Sequence, residues 1–268
     1  MSRKPNRNNV IKRLDNKEKI MIYQAHRGVS SDAPENTMPA FEMAAKEGYG
    51  IIETDPSVTK DGKVILFHDR TIKRTLRING NVPELDTPIT ELTYGEVLKY
   101  DAGLFKGEAF KGTKVPLLKE LLDFAETVKI PVKIDNKIFN FTEEDRLKVY
   151  DVLNSSSAEI GITCQKVDFV RDAMKHVKTA EIHYDGEITE EILKTLSDEC
   201  AGKNLTVWVP IKNRLTTWVS VPFADEKLSD LVKKYARLGL WILESEEDLA
   251  AAKALNADII ETTGRLKP

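Results

Sequence analysis

Short apolar, β-branched runs recur along the chain and alternate with stretches of helical periodicity. The runs fall at Ile20 to Ala25, Gly50 to Thr54, Val132 to Asp135, Glu159 to Cys164, Ala180 to Tyr184, Leu205 to Val209, Leu238 to Leu243 and Asp258 to Glu261. Between them, at Met38 to Glu47, Leu117 to Lys129, Glu143 to Leu153, Asp168 to His176, Glu190 to Ala201, Asp225 to Leu238 and Glu246 to Leu255, apolar residues return at three and four positions, as one face of a helix requires. Thr142 and Ser245 each precede acidic residues and suit helix N-caps. Strands alternating with helices in this number predict an α/β fold, a closed parallel (β/α)8 or TIM barrel of the usual ~250 residues. A doubly wound open sheet is the alternative.

One interval breaks the alternation. More than fifty residues separate the strand ending near Thr59 from the helix opening near Pro116, too many for an ordinary connection in a compact domain. A small insertion after the second strand, over about residues 70–115, is therefore expected, with a short helix over Glu91 to Tyr100. Ahead of it, the Asp61–Gly62 dipeptide predicts a hairpin with a two-residue turn. In that register Lys60 faces Lys63 and Asp55 lies opposite His68, with Pro56 as a possible bulge that shifts the pairing by one. The expected organisation is an N-terminal polar arm over residues 1–19 and one barrel over residues 20–268.

Composition narrows the class. Of 268 residues, 41% are hydrophobic and 31% charged, which is a globular balance, and 40 basic against 43 acidic side chains give a net charge of −3. That charge gives no electrostatic ground for a nucleic-acid partner. The two cysteines, Cys164 and Cys200, encode no disulfide framework and lack the spacing of a thiolate metal site. There is no apolar run long enough to span a bilayer, so stable membrane insertion is not expected. Residues 1–19 are polar and basic, without the apolar core of an export signal, which makes a cytoplasmic location the default expectation.

The chemistry is concentrated near the start. His26–Arg27–Gly28 is followed by Pro34–Glu35–Asn36–Thr37, then by Glu53, Asp55 and His68. Glu53 and Asp55 are two apart on one strand and share a face, so both can offer oxygen atoms to one cation. Alone, such a pair is ordinarily a solvated strand face, and a single histidine at a strand end is ordinarily structural. Two histidines beside two carboxylates at the ends of neighbouring β segments form a set able to hold a cation and move protons beside it.

These residues resemble the glycerophosphodiester phosphodiesterases, whose pattern runs HRG, PENT, ExD, TxDG and HD; KGTKVPLLKELLDF and LWILESEEDLAAAKALNADIIETTG are similar to later parts of the family. The resemblance implies a TIM barrel that hydrolyses small-molecule glycerophosphodiesters to glycerol 3-phosphate and an alcohol. It also implies one divalent cation, Ca2+ or Mg2+, held by Glu53, Asp55 and a third acid. Asp135 takes that third place, where the family usually has a Glu, one methylene longer. By the same resemblance His26 and His68 are the general acid and base in either order, Arg27 and Lys137 meet the phosphate, and Glu35 and Asn36 support the site. Gln165–Lys166 and Glu261–Thr262–Thr263 depart from the family at the mouth, where loops select substrate. A phospholipase D-like enzyme acting on lipid phosphodiesters and a barrel that binds phosphate esters without cleaving them are the alternatives.

Overall fold

The computed structural model describes residues 20–177, 179–200 and 204–268; the expected polar arm over residues 1–19 lies outside them. Eight parallel strands close into a barrel: β1 (Ile22–Ala25), β2 (Ile51–Thr54), β5 (Val132–Ile134), β6 (Ile160–Cys164), β7 (Glu181–Tyr184), β8 (Leu205–Pro210), β9 (Arg237–Trp241) and β10 (Ile259–Thr262). β1 pairs with both β2 and β10, which completes the circle. The expected (β/α)8 barrel is observed, and the open sheet is excluded.

The helices are α1 (Met38–Glu47), α2 (Tyr94–Val97), α3 (Leu118–Val128), α4 (Glu143–Asn154), α5 (Val167–His176), α6 (Glu190–Glu199), α7 (Glu226–Lys233) and α8 (Glu246–Ala254). Thr142 and Ser245 act as N-caps, their hydroxyls accepting from the backbone N–H groups of Asp145 and Asp248. Two helices are shorter than their periodicity suggests. α7 stops at Lys233 because Leu238, assigned to the helix by spacing, belongs to β9. α2 covers only four residues and begins where Thr93 and Glu96 form a capping box. Among the described residues no helix is long and apolar enough to cross a membrane.

β3 (Pro56–Val58) and β4 (Val64–Leu66) form the hairpin, but in a register one residue from that expected. Pro56 pairs with Leu66, and the Phe67 N–H donates to the Asp55 carbonyl at 2.8 Å, so Asp55 lies opposite Phe67 rather than His68. The turn holds three residues. Gly62 N–H donates to the Thr59 carbonyl at 2.8 Å and Gly62 has φ +76°, a type I turn closed by a left-handed glycine. Thr59 Oγ1 favours this longer turn by accepting from Lys63 N at 3.0 Å and donating to Asp61 Oδ1 at 2.7 Å. The connection from β4 to α3 carries its own apolar cluster, which includes Phe67, Ile72, Leu76, Ile89 and Val97.

Inside the barrel, alternate strand residues point to the axis. Ile51, Trp208 and Ile259 pack together, and Gln24, Glu53, Lys133, His183 and Glu261 are also buried. This polar interior departs from the branched aliphatic filling common in such barrels. Glycines make room for its rings: a β-carbon at Gly161 would lie 2.6 Å from His183 Nε2, and one at Gly239 2.6 Å from Trp208.

Candidate active site

The chain leaves β1 through a tight turn. Arg27 has φ +58° and Gly28 φ +75°, and a β-carbon at Gly28 would sit 2.7 Å from the Ala40 backbone of α1. Only glycine fits there. The turn leaves His26 at the mouth of the barrel and aims the Arg27 N–H at Glu53 Oε2, 2.8 Å away. The Arg27 side chain reaches Glu35 Oε1 at 2.9 Å and Asp55 Oδ2 at 3.2 Å.

Asn36, with φ +55°, holds the end of β2. Its Nδ2 donates to Asp55 Oδ2 at 2.7 Å, while its Oδ1 accepts from Thr54 Oγ1 at 2.8 Å and Asp55 N at 3.1 Å. Asp55 Oδ1 meets Lys137 Nζ at 2.8 Å. Burial works to raise the Asp55 pKa, but Lys137 and Arg27 outweigh it and hold the carboxylate below its usual range.

Glu53, Asp55 and Asp135 each offer a carboxylate oxygen, all within 4.8 Å of one another. The shorter Asp135 reaches the group from the start of the turn after β5, where its Oδ1 also accepts from Lys137 N at 2.9 Å. Burial and then the neighbouring Asp55 raise the pKa of Glu53 and of Asp135. Around the mouth the carboxylates Glu53, Asp55, Asp135, Asp185 and Glu261 outnumber the fixed cations Arg27, Lys133 and Lys137 by two. Three crowded carboxylates, two of them with pKa values raised by burial and by their neighbour, are hard oxygen donors that fit a divalent cation.

A cavity of about 560 Å³ opens at the carboxyl ends of the strands. His26, Arg27, Glu53, His68 and Asp135 line it, whereas Asp55, Lys137, Glu35 and Asn36 stand behind that lining. Trp218, exposed on the connection after β8, and Gln165 also face it. His68 follows the hairpin, with Nδ1 2.8 Å from Asp69 Oδ1 and its carbonyl accepting from Lys137 Nζ at 2.8 Å. The remaining histidines lie elsewhere: His176 stacks on Tyr150 between α4 and α5, and His183 accepts from Trp208 Nε1 at 2.9 Å inside the barrel.

Lys133 is a site residue that the sequence reading overlooked. It lies two before Asp135 on the same strand face, a spacing that places both inward. Its Nζ is 3.1 Å from Glu261 Oε2 and 4.3 Å from the centre of a Trp208 ring. Gln24 Nε2 donates to the same Glu261 oxygen.

His26 carries a pH signature. Burial pushes the His26 pKa down to about 4, with Glu261 acting in the opposite sense and Arg27 adding to the drop. In the unfolded chain the same ring takes a proton near pH ~6.5. Unfolding at His26 therefore binds a proton between these values, and its contribution to stability is whole above ~6.5 and lost as pH falls toward 4. Asp185, raised to about 7 by burial and by Asp135, works in the opposite direction. The expected result is thus differential: between pH 7 and 4.5 wild type should lose stability relative to His26→Gln in urea titrations, and parallel curves would refute the assignment.

The Glycerophosphoryl diester phosphodiesterase family model matches residues 26–243 of the chain. A glycerophosphodiester phosphodiesterase of Caldanaerobacter subterraneus is 38% identical over 113 residues, which is 42% of this chain and 44% of that protein. The chain spans less than half the length of that relative and of two Bacillus subtilis proteins it also matches. A glycerophosphodiester phosphodiesterase of Bacillus altitudinis is 34% identical over 234 residues, 75% of this chain and 93% of that one. An Oleispira antarctica phosphodiesterase solved with its product sn-glycerol-3-phosphate superposes with a TM-score of 0.72 at 17% identity, covering 91% of this chain and 93% of that chain, a likeness of fold. With the match running from His26 through the carboxylate cluster and beyond β9, the chain belongs to the glycerophosphoryl diester phosphodiesterase family.

Proposed function

We propose that the protein hydrolyses small glycerophosphodiesters to glycerol 3-phosphate and an alcohol, with residues 20–268 acting as one catalytic barrel and residues 70–115 as an insertion in it. The observation that carries this reading is the meeting of His26, His68, Arg27, Glu53 and Asp135 in one cavity, with Asp55 completing the carboxylate cluster. Glu53, Asp55 and Asp135 would hold one divalent cation, Ca2+ or Mg2+. When bound, it would offset the charge of the phosphodiester and of its transition state.

The protein's own groups supply the rest. His26 is neutral across the physiological range and suits the general base, taking the proton of the attacking hydroxyl as its oxygen bonds to phosphorus. His68, oriented by Asp69, suits the acid that protonates the departing alkoxide as the second P–O bond breaks. The attacking group in this reading is the substrate's own glycerol hydroxyl, and water then opens the cyclic phosphate. Arg27 faces the cavity and would meet the phosphate oxygens. Lys137 is already engaged by Asp55 and the His68 carbonyl, which suits a donor whose position is set before substrate arrives. Glu35 and Asn36 support the site by holding Arg27 and Asp55.

The test is release of glycerol 3-phosphate from glycerophosphocholine and glycerophosphoethanolamine. Product is expected with Ca2+ or Mg2+ and not after EDTA. Undiminished turnover after chelation would refute the cation, and no product from either ester with either metal would overturn the activity.

A further inference from the structure

The polar contacts around His68 close into a ring. His68 Nδ1 lies 2.8 Å from Asp69 Oδ1. Arg74 meets both oxygens of Asp69, through Nε at 2.5 Å and Nη2 at 3.0 Å. The same guanidinium meets both oxygens of Glu35, through Nη1 and Nη2, each at 2.7 Å. Glu35 accepts from Arg27 Nη1 at 2.9 Å, and Arg27 Nε lies 3.2 Å from Asp55. Asp55 meets Lys137 Nζ at 2.8 Å, which donates to the His68 carbonyl at 2.8 Å and returns the path to its start.

Arg74 joins the two halves of this ring, and it comes from the connection that interrupts the barrel. Ile72 and Leu76 flank it, both fully buried in the apolar cluster of that connection, and the Leu76 N–H donates to the Ile72 carbonyl at 3.0 Å. The backbone on either side of Arg74 is thus pinned, while its head reaches across to two carboxylates. A planar guanidinium can serve both at once; an ammonium on a flexible stem cannot hold the same fork. Without it, Glu35 and Asp69 lose their shared counter-charge, and the partners of Arg27 and His68 are free to turn away.

We infer that Arg74 is a positioning residue, fixing the His68 imidazole through Asp69 and the Arg27 guanidinium through Glu35, and that the inserted segment serves the site by holding Arg74 in place. The inference rests on the proposed role of His68 in proton transfer. It gives a function to the contacts of Arg74 with Asp69 and Glu35, neither of which belongs to the carboxylate cluster.

The experiment compares wild type, Arg74→Ala and Arg74→Lys by kinetics, thermal melting and nitrogen-15 NMR of the His68 ring. In wild type the neutral His68 ring should hold a single tautomer, protonated at Nδ1 toward Asp69. In Arg74→Ala that tautomer should become mixed and kcat should fall roughly 10–100-fold, the usual cost of losing such a supporting partner, with a smaller change in KM. Low millimolar guanidinium, but not urea, should restore part of the lost kcat. Arg74→Lys should melt like wild type and remain impaired, which keeps the test valid if the alanine variant folds poorly. Wild-type kcat together with an unchanged His68 tautomer in either variant would overturn the inference. If wild type itself released no glycerol 3-phosphate, the proposed activity would fail, and the tautomer comparison would still decide the role of Arg74.

Discussion

Replacing His26 or His68 by alanine is expected to lower kcat for glycerophosphodiester hydrolysis by roughly 10²–10⁴-fold, the range typical of a positioned proton-transfer group. The two losses should not add, because one imidazole without the other leaves either the attacking hydroxyl or the departing alkoxide without a proton partner. The substitutions differ in their side effects. His26 sits among Glu261, Arg27, Asp55 and Lys133, so its removal also takes a neutral ring out from between packed charges at the mouth. His68 faces the cavity from the end of the hairpin, bonded through its ring to Asp69, and its removal should leave the fold nearly untouched. Burst and steady-state assays on both variants, with melting curves alongside, check the expectation. Near-wild-type turnover in His68→Ala would remove it from the mechanism.

The second large effect is on stability. Lys133 is 7% exposed and Glu261 5%, so their ion pair is formed almost wholly out of water. Removing one partner of such a pair leaves a buried charge uncompensated, at a typical cost of ~3–5 kcal/mol. Lys133→Met should therefore lower the urea midpoint markedly. Glu261→Gln in the same chain should recover most of the loss, since it removes the stranded carboxylate and keeps an acceptor for Gln24. A single variant as stable as wild type would mean that Gln24 and water satisfy Glu261 unaided. The contrast with exposed pairs such as Arg171–Glu199 is one of dielectric: there both groups remain hydrated and the pair contributes little.

The hairpin illustrates how local signals carry information and where they end. Asp61 and Gly62 mark the turn correctly, yet a two-residue and a three-residue turn place Asp55 opposite different partners. What separated them was the Thr59 hydroxyl, which closes the longer loop from a position just outside the dipeptide. The Pro56 warning of a one-residue shift pointed to the observed register, although the extra residue lies in the turn. Asp69 and Arg74 were also in plain sight beside His68. Nothing in their spacing indicates that one guanidinium would span from Asp69 to Glu35, because that contact joins positions 39 apart.

By itself, the sequence determined the alternation of strand and helix, the caps at Thr142 and Ser245, and the clustering of His26, Glu53, Asp55 and His68 near one end of the barrel. The alternation and the caps follow from periodicity and local pairing, which act within a few residues, and the clustering follows from placing these residues at neighbouring strand ends of that alternation. Only the tertiary structure decided which groups stand at the cavity and which behind it, how Asp135 reaches the carboxylate cluster, that Arg74 spans Asp69 and Glu35, and that Lys133 and Glu261 pair inside the barrel. Closing the barrel brings β5 and β10 across its interior, and burial there removes the water that would otherwise screen these charges from one another.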